Sequence, residues 1–486
     1  VVVTIFGGLI PLLGALLLWR GSLTAMLLFV MATTLMGGSA AFVLTALGNS
    51  SVPPANVALL FLMLRCLAPG REPHHGFWPA ADANRWLALF VLYGALGAVI
   101  LPRIFAGAID LTPLRPIPGH GLTYAVPLRF SNQNLTVAVY LTGTLAAAIC
   151  GTMAMGRPHA WRAVARAAAA IGTVHAVLGL ASVVLAGPLR PVFAFFRNGF
   201  YAQLSHTLGG VERMTGIFPE AAVYAAYGLV WMIFLIELWL RRVEPRLTGP
   251  AALLLSLTLL LSSSSTAYVG FAAYGGLLGL RLLFGGGAIR GDRVVLIGLL
   301  GLVAVAGGMA LVVAEPRLAA RLGGILSLLT VDKLDSGSGI QRAFWARQGF
   351  DAFAASYGLG VGVGSFRSSS LLTAILGSVG VIGTLAFLLA LWRVFMAGRR
   401  STWVEVADKR AATGAAASWA LIVSLAPASV AAPSPDPGLL WGLLSGLALG
   451  LRWLPDVAMQ QKPGQKSGVR HETVMPLRHG QPEPVQ

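Results

Sequence analysis

Thirteen long apolar runs constrain this chain more than any other feature. They fall at 3–19, 22–47, 53–68, 86–101, 133–155, 164–187, 216–240, 249–263, 266–284, 294–314, 370–396, 412–428 and 438–454. Each is close to the length that crosses about 30 Å of hydrocarbon as a helix. The run from 249 to 284 is too long for one helix, and its polar centre, LLSSSSTAYVG, predicts two short helices meeting at a membrane face. The fold expected is all-α, a polytopic membrane protein of 12 or 13 helices occupying residues 1–454. A β-barrel would need polar, lumen-facing residues at every second position of its strands. Composition agrees: 56% of residues are hydrophobic and 11% charged, where soluble domains carry about 25% charged residues. The 59 glycines suit close helix packing in lipid.

The charge balance is uneven, with 35 Lys+Arg against 18 Asp+Glu. In a soluble protein such a surplus would suggest nucleic acid. Here positive-inside topology and an anionic ligand compete to explain it. Basic stretches at 157–166, 241–246, 290–293 and 399–410 predict cytoplasmic loops. Alternation then puts 102–132, 188–215 and 315–369 outside. Residues 455–486 read as a disordered cytoplasmic tail. By this topology 23 of the 35 basic residues lie inside and 12 outside, and 11 of those 12 are Arg. Arginine recognises phosphate and carboxylate in bidentate fashion, so the outer group points to an anionic ligand. Cys66 and Cys150 fall in apolar runs and read as buried small hydrophobes. The start, VVVTIFGG without Met, reads as processed or trimmed, with no signal peptide.

Three stretches carry the chemistry. In VERMTGIFPEAAVYAAYG (211–228), Arg213 is expected at the outer mouth of a helix and Glu220 one to two turns inside it. An ionisable residue there is a functional candidate, with a structural ion pair as the alternative. In LLSSSSTAYVGFAAYGG (260–276), Ser265 and Thr266 supply hydroxyls for a polar cavity or for helix packing. In 335–370, the spacing of Ile340, Phe344, Trp345, Phe350, Phe353 and Tyr357 predicts an amphipathic outer helix over 339–357. Arg347 and Asp351 are four apart and expected to pair, whereas Arg342 has no acid three or four positions away. GLGVGVGSFRSSS, with Gly at every second position and then Arg367, lacks the preceding strand of a dinucleotide motif and reads as a close backbone approach. His206, just before Arg213, is an alternative base; His159 and His175 are expected away from the site.

Taken in order, these segments resemble bacterial Wzy-type polysaccharide polymerases and the related O-antigen ligases. The resemblance rests on 213–220, Ser263 to Ala267, Arg342 with Trp345, Gly360 to Phe366, Gly380 to Gly383 and Pro435 to Leu447. It covers about 210–450. It implies a GT-C-like glycosyltransferase of the inner membrane with its site facing the periplasm. Donor and acceptor would be oligosaccharides on undecaprenyl diphosphate, with a chain-length regulator as a further partner. In ligases the acceptor is lipid A–core instead. Two departures favour the polymerase branch: Ser265 stands where many ligases carry Arg, and RSSSLLTAILGSVG (367–380) lacks their His.

The residues suggest a mechanism of their own. Fixed guanidinium groups can hold a diphosphate leaving group without a metal, and no metal-ligand spacing or cofactor motif occurs in the sequence. Arg213, Arg342 and Arg367 are the expected diphosphate ligands, with Arg347, Ser265, Thr266 and His206 as further substrate contacts. Glu220 would accept the proton of the attacking hydroxyl or orient Arg213. A single displacement inverts the anomeric carbon. A flippase for lipid-linked sugars is the rival expectation, though the inverted repeats common in transporters are not evident.

Overall fold

The computed structural model describes residues 1–45, 49–68, 74–117, 119–199, 207–208, 211–284, 337–399, 408–452 and the single positions 293, 295, 298 and 454. The first half contains α1 (Ile5–Arg20), α2 (Leu23–Thr33), α3 (Pro54–Leu67), α4 (Phe77–Ala83), α5 (Arg85–Ile104), α6 (Asn132–Ala154), α7 (Ala160–Val184) and α8 (Ala186–Phe196). The second contains α9 (Ala221–Leu240), α10 (Pro245–Leu261), α11 (Ser265–Phe284), α12 (Gly337–Ala355), α13 (Leu371–Arg399), α14 (Lys409–Ala431) and α15 (Leu439–Arg452). Seven of these, α5, α6, α7, α9, α11, α13 and α14, are long and apolar enough to cross a membrane. Five shorter apolar helices, α1, α2, α3, α10 and α15, join them. The chain is an all-α, membrane-embedded protein.

Local chemistry sets the helix ends. Thr4 accepts from the Gly7 amide at α1, Ser22 from the Ala25 amide at α2, and Asp408 from the Ala411 amide at α14. Each satisfies an amide that the first turn leaves without a partner. The 249–284 run divides as expected, into α10 and α11, with Ser263 in the left-handed region at φ 50°. Two boundaries differ from the expectation. The run 22–47 is helical only to Thr33; Gly37 and Gly38 pack against Phe218 and Ile217, and Phe42–Leu44 pairs as a strand. The run 216–240 becomes helix only at Ala221, because Gly216 sits at φ 51° and Pro219 disfavours helix at Phe218. The expected span 294–314, apart from positions 295 and 298, and the tail 455–486 lie outside the described residues.

Small residues drive the tightest packing. Gly442, Gly446 and Gly450 of α15 lie directly on the backbone of Thr144, Ala148 and Thr152 in α6. Lipid offers no hydrophobic drive for helix association, so such backbone contact is the main source of cohesion. Cys66 and Cys150 are buried and unbridged. A charged cluster is also buried: Glu237 of α9 is bonded by Arg241, by Arg281 (2.7 Å) and by the Tyr274 hydroxyl (3.0 Å).

Short strands gather at one end of the bundle. One antiparallel sheet has Val3 opposite Phe42 and Phe42 opposite Val52; Asp110–Leu111 pairs with Val126–Pro127, and Thr207–Leu208 with Val211–Glu212. Arg115 ties the second sheet to Ser50 of the first (3.3 Å), and Asn198 ties the chain after α8 to Ala40 (2.8 Å). Open sheet edges do not occur in hydrocarbon, so this end lies at a membrane surface.

Candidate active site

The segment 213–220 crosses this strand-bearing end before α9 begins. Ser182 Oγ accepts from the amides of Thr215 (3.3 Å) and Gly216 (3.1 Å). Arg197 donates to the Gly216 carbonyl (3.1 Å) and the Thr215 hydroxyl (2.5 Å). Arg197 is therefore a clamp on the backbone, and its place among the outer cations is explained structurally. The clamp holds Arg213 and Glu220 at the two ends of a fixed loop. Glu220 is the N-cap of α9 by backbone position, but its side chain makes no capping bond. It is one position outside the helix, not one to two turns within it.

Arg213 lies in the field of two other charged groups. Arg213 interacts electrostatically with Arg342, Glu220 and Tyr268. Its Nε is fully buried and has no hydrogen-bond partner among the described residues. Burial, and then the like charge of Arg342, hold the Arg213 guanidinium below its ordinary pKa, while Glu220 and Tyr268 pull it back. The Arg342 side chain forms no hydrogen bond or ion pair with a described residue; its carbonyl accepts from the Ser369 hydroxyl at 2.5 Å. The Glu220 carboxylate also forms neither a hydrogen bond nor an ion pair with a described residue. The structural ion pair offered as an alternative for Glu220 is thus absent among the described residues.

The glycine run builds the neighbouring wall. Gly360, Gly362 and Gly364 have φ of 86°, 89° and 80°. A Cβ on each would strike the carbonyl oxygen of Ser378 at 2.5 Å, Gly97 at 2.7 Å or Gln133 at 2.5 Å. The close backbone approach read from the sequence is present, against α13, α5 and α6. Gly380, at φ 58° and ψ −157°, breaks α13. Carbonyls of Gly377 and Ser378 accept from the amides of Val361 and Gly362, both at 2.9 Å. The run therefore completes the broken helix, and carries the chain to Arg367.

Arg367 lies over the Trp345 ring, with Cζ 4.4 Å from its centroid, one helical turn beyond Arg342. Its amide donates to Thr112 (2.9 Å), which Gln348 of α12 also holds. Arg347 is brought elsewhere. It lies on the exposed side of α12, 4.0 Å from Asp351, the partner expected from the spacing. The apolar stripe predicted for this helix is split, with Trp345 buried while Ile340, Phe344 and Phe350 are exposed. Ser265 is half-buried and Thr266 buried, in the first turn of α11. His206 lies outside the described residues.

Three relevant residues were not signalled by the sequence. Tyr268, one turn past the serine break, reaches the field of Arg213; its helical offset from Ser264 was the available clue. Asp436 accepts from the Thr144 hydroxyl (2.7 Å) and the Gly438 amide (3.0 Å). Burial pushes its carboxyl above the usual aspartate range against those two bonds. Its loop meets Arg367's neighbour, since the Ser368 amide donates to Pro433 (3.0 Å). His175, expected remote, stacks on Tyr224 with centroids 4.1 Å apart and packs edge-on against Phe218. The helical offset from Glu220 to Tyr224 was too indirect to place it. It is buried and supports the 215–224 segment from below.

A site of this kind can bind a polyanion and accept a proton. Two guanidinium groups offer donors in a partly desolvated setting, where charge interactions are strong. An unpaired carboxylate stands beside them. Comparison with protein-family models, with curated proteins and with solved structures finds no match to this chain.

Proposed function

We propose that this chain is a membrane glycosyltransferase of GT-C-like architecture that polymerises oligosaccharide repeat units carried on undecaprenyl diphosphate. The single observation that carries the reading is that Arg213 lies in the field of both Arg342 and Glu220, while none of the three side chains forms a hydrogen bond or ion pair with a described residue. Two like charges in a half-buried site are unfavourable unless an anion joins them. A diphosphate supplies that anion, and its oxygens match the planar donors of arginine.

In the reaction proposed, the acceptor sugar hydroxyl attacks the anomeric carbon of the donor. A carbon–oxygen bond to the acceptor forms as the bond from that carbon to the phosphate oxygen breaks. The electron pair leaves with undecaprenyl diphosphate, whose growing charge Arg213, Arg342 and Arg367 stabilise. The hydroxyl proton passes to the Glu220 carboxylate. One displacement inverts the anomeric centre. Ser265, and the absence of His in 367–380, favour a polymerase over a ligase. On this reading the strand-bearing end faces the periplasm of a bacterial inner membrane.

The test is long-chain polysaccharide in cells carrying Arg213→Ala or Arg342→Ala. Loss of long chains, with lipid-linked units still reaching the periplasm, supports the proposal. Normal chain length in both variants removes it. Failure of the units to reach the periplasm favours a flippase, and transfer to lipid A–core favours a ligase.

A further inference from the structure

At the far end of α9, some 20 residues and about 30 Å from Glu220, a second basic site is built. The cavity has a volume of about 370 Å³. Its charged lining is Arg162, Arg242, Arg246 and Lys409 against Glu244, with Trp161 at its side. Glu244 is already engaged twice, by Arg162 Nε at 2.6 Å and Arg166 Nε at 3.1 Å. Desolvation works against its charge, yet these hydrogen bonds hold the Glu244 carboxyl below its usual range. Glu244 therefore already holds two arginines, and Lys409 Nζ donates to the Arg241 carbonyl (3.4 Å); four cations face one acid among the described lining residues. Arg246 forms neither a hydrogen bond nor an ion pair with a described residue. Positive-inside topology explains the presence of such residues but not their convergence on one cavity.

The backbone is bent to make that convergence. Arg242 and Glu244 both occupy the left-handed region, at φ 56° and 44°, which costs about 1–2 kcal/mol for a non-glycine residue. The Val243 amide closes α9 onto Leu238 (2.9 Å), so the Arg242 position is the one where helices commonly place glycine. The first turns of α7, α10 and α14 also border the cavity, through Arg162, Pro245 and Lys409. Three positive helix ends, against the one negative end of α9, thus add to the side-chain field.

We infer that this cavity binds a phosphate group, supplied by an anionic lipid headgroup or by free phosphate. The donors suit phosphate oxygens, the volume admits a headgroup, and Trp161 is a residue that favours the headgroup level of a bilayer. The inference is independent of the glycosyltransferase reading, since it concerns the opposite end of the bundle.

The test uses the purified full chain with Arg213→Ala and Arg342→Ala, so that the first site cannot contribute. Thermal stability is measured in detergent with inorganic phosphate, and in nanodiscs of phosphatidylcholine with and without phosphatidylglycerol. Stabilisation by phosphate identifies the free anion as the ligand, and stabilisation by phosphatidylglycerol alone identifies the headgroup. Adding Arg242→Gln and Arg246→Gln should weaken the apparent affinity about tenfold or more. Arg85→Gln, an exposed cation elsewhere, should leave it unchanged. Should the Arg242 change prevent folding, Arg246→Gln alone should still weaken binding about threefold or more. No stabilisation by either ligand, or equal stabilisation with and without Arg246, overturns the inference.

Discussion

Arg213 and Arg342 bring two like charges to the mouth of α9, and the second helps to hold the pKa of the first down. The pair is unfavourable for the empty protein and favourable for an anion. Replacing Arg342 with Gln should therefore stabilise the protein by some tenths of a kcal/mol, a rise in melting temperature of less than about 1 °C in a chain of this size. Activity should fall about a hundredfold to a thousandfold, as when one preorganised transition-state donor is removed. Differential scanning fluorimetry and turnover on the same preparation check both signs.

Asp436 should make stability depend on pH. Burial raises its folded pKa above the unfolded value of 3.8. Its stabilising contribution is full below that value and is lost as pH rises through the raised folded pKa. Asp436→Asn should remove this decline and make the protein more stable than wild type on the neutral side. Melting curves from pH 4 upward for the two proteins test the sign.

Gly362 should be intolerant of a side chain. An alanine there meets both a φ of 89° and the Gly97 carbonyl at 2.7 Å, and should cost more than the 1–2 kcal/mol or so of left-handed strain alone. Gly107 has φ 74° with open space around it. Gly107→Ala should therefore cost less than Gly362→Ala, and chemical denaturation of the two variants separates strain from collision.

Glu237 neutralises Arg241 and Arg281 inside the bundle. Glu237→Gln leaves buried guanidinium groups without their carboxylate and should destabilise by about 3–5 kcal/mol. Loss of folded protein on size exclusion, or a large drop in melting temperature, is the expected readout.

Much of the fold was legible because hydropathy and charge report directly on lipid and topology. The serine break, the apolar runs and the 347–351 pair follow from local spacing. Hydropathy does not report the end of the 22–47 run at Thr33, where the following Gly37 and Gly38 pack on Phe218 and Ile217, residues far along the chain. Hydropathy carries the helix back to 216, whereas Gly216 and Pro219 keep Glu220 outside it. For the site, residue type singles out Arg213, Arg342 and Glu220 only as candidates, and tertiary packing is what separates Arg197, a backbone clamp, from Arg213, which has no such bonds among the described residues. Tyr268 and Asp436 carry no sequence signal, and His175 reads as remote, for the same reason: their roles depend on neighbours distant in sequence.

The most direct measurement of the central claim is elongation by the purified chain of a synthetic undecaprenyl diphosphate repeat unit in the presence of a chelator. The account predicts chain growth with inversion at the anomeric carbon, abolished by Arg213→Ala with Arg342→Ala and strongly reduced by Glu220→Gln. Elongation that survives the double arginine substitution, or that requires a divalent ion, would contradict it.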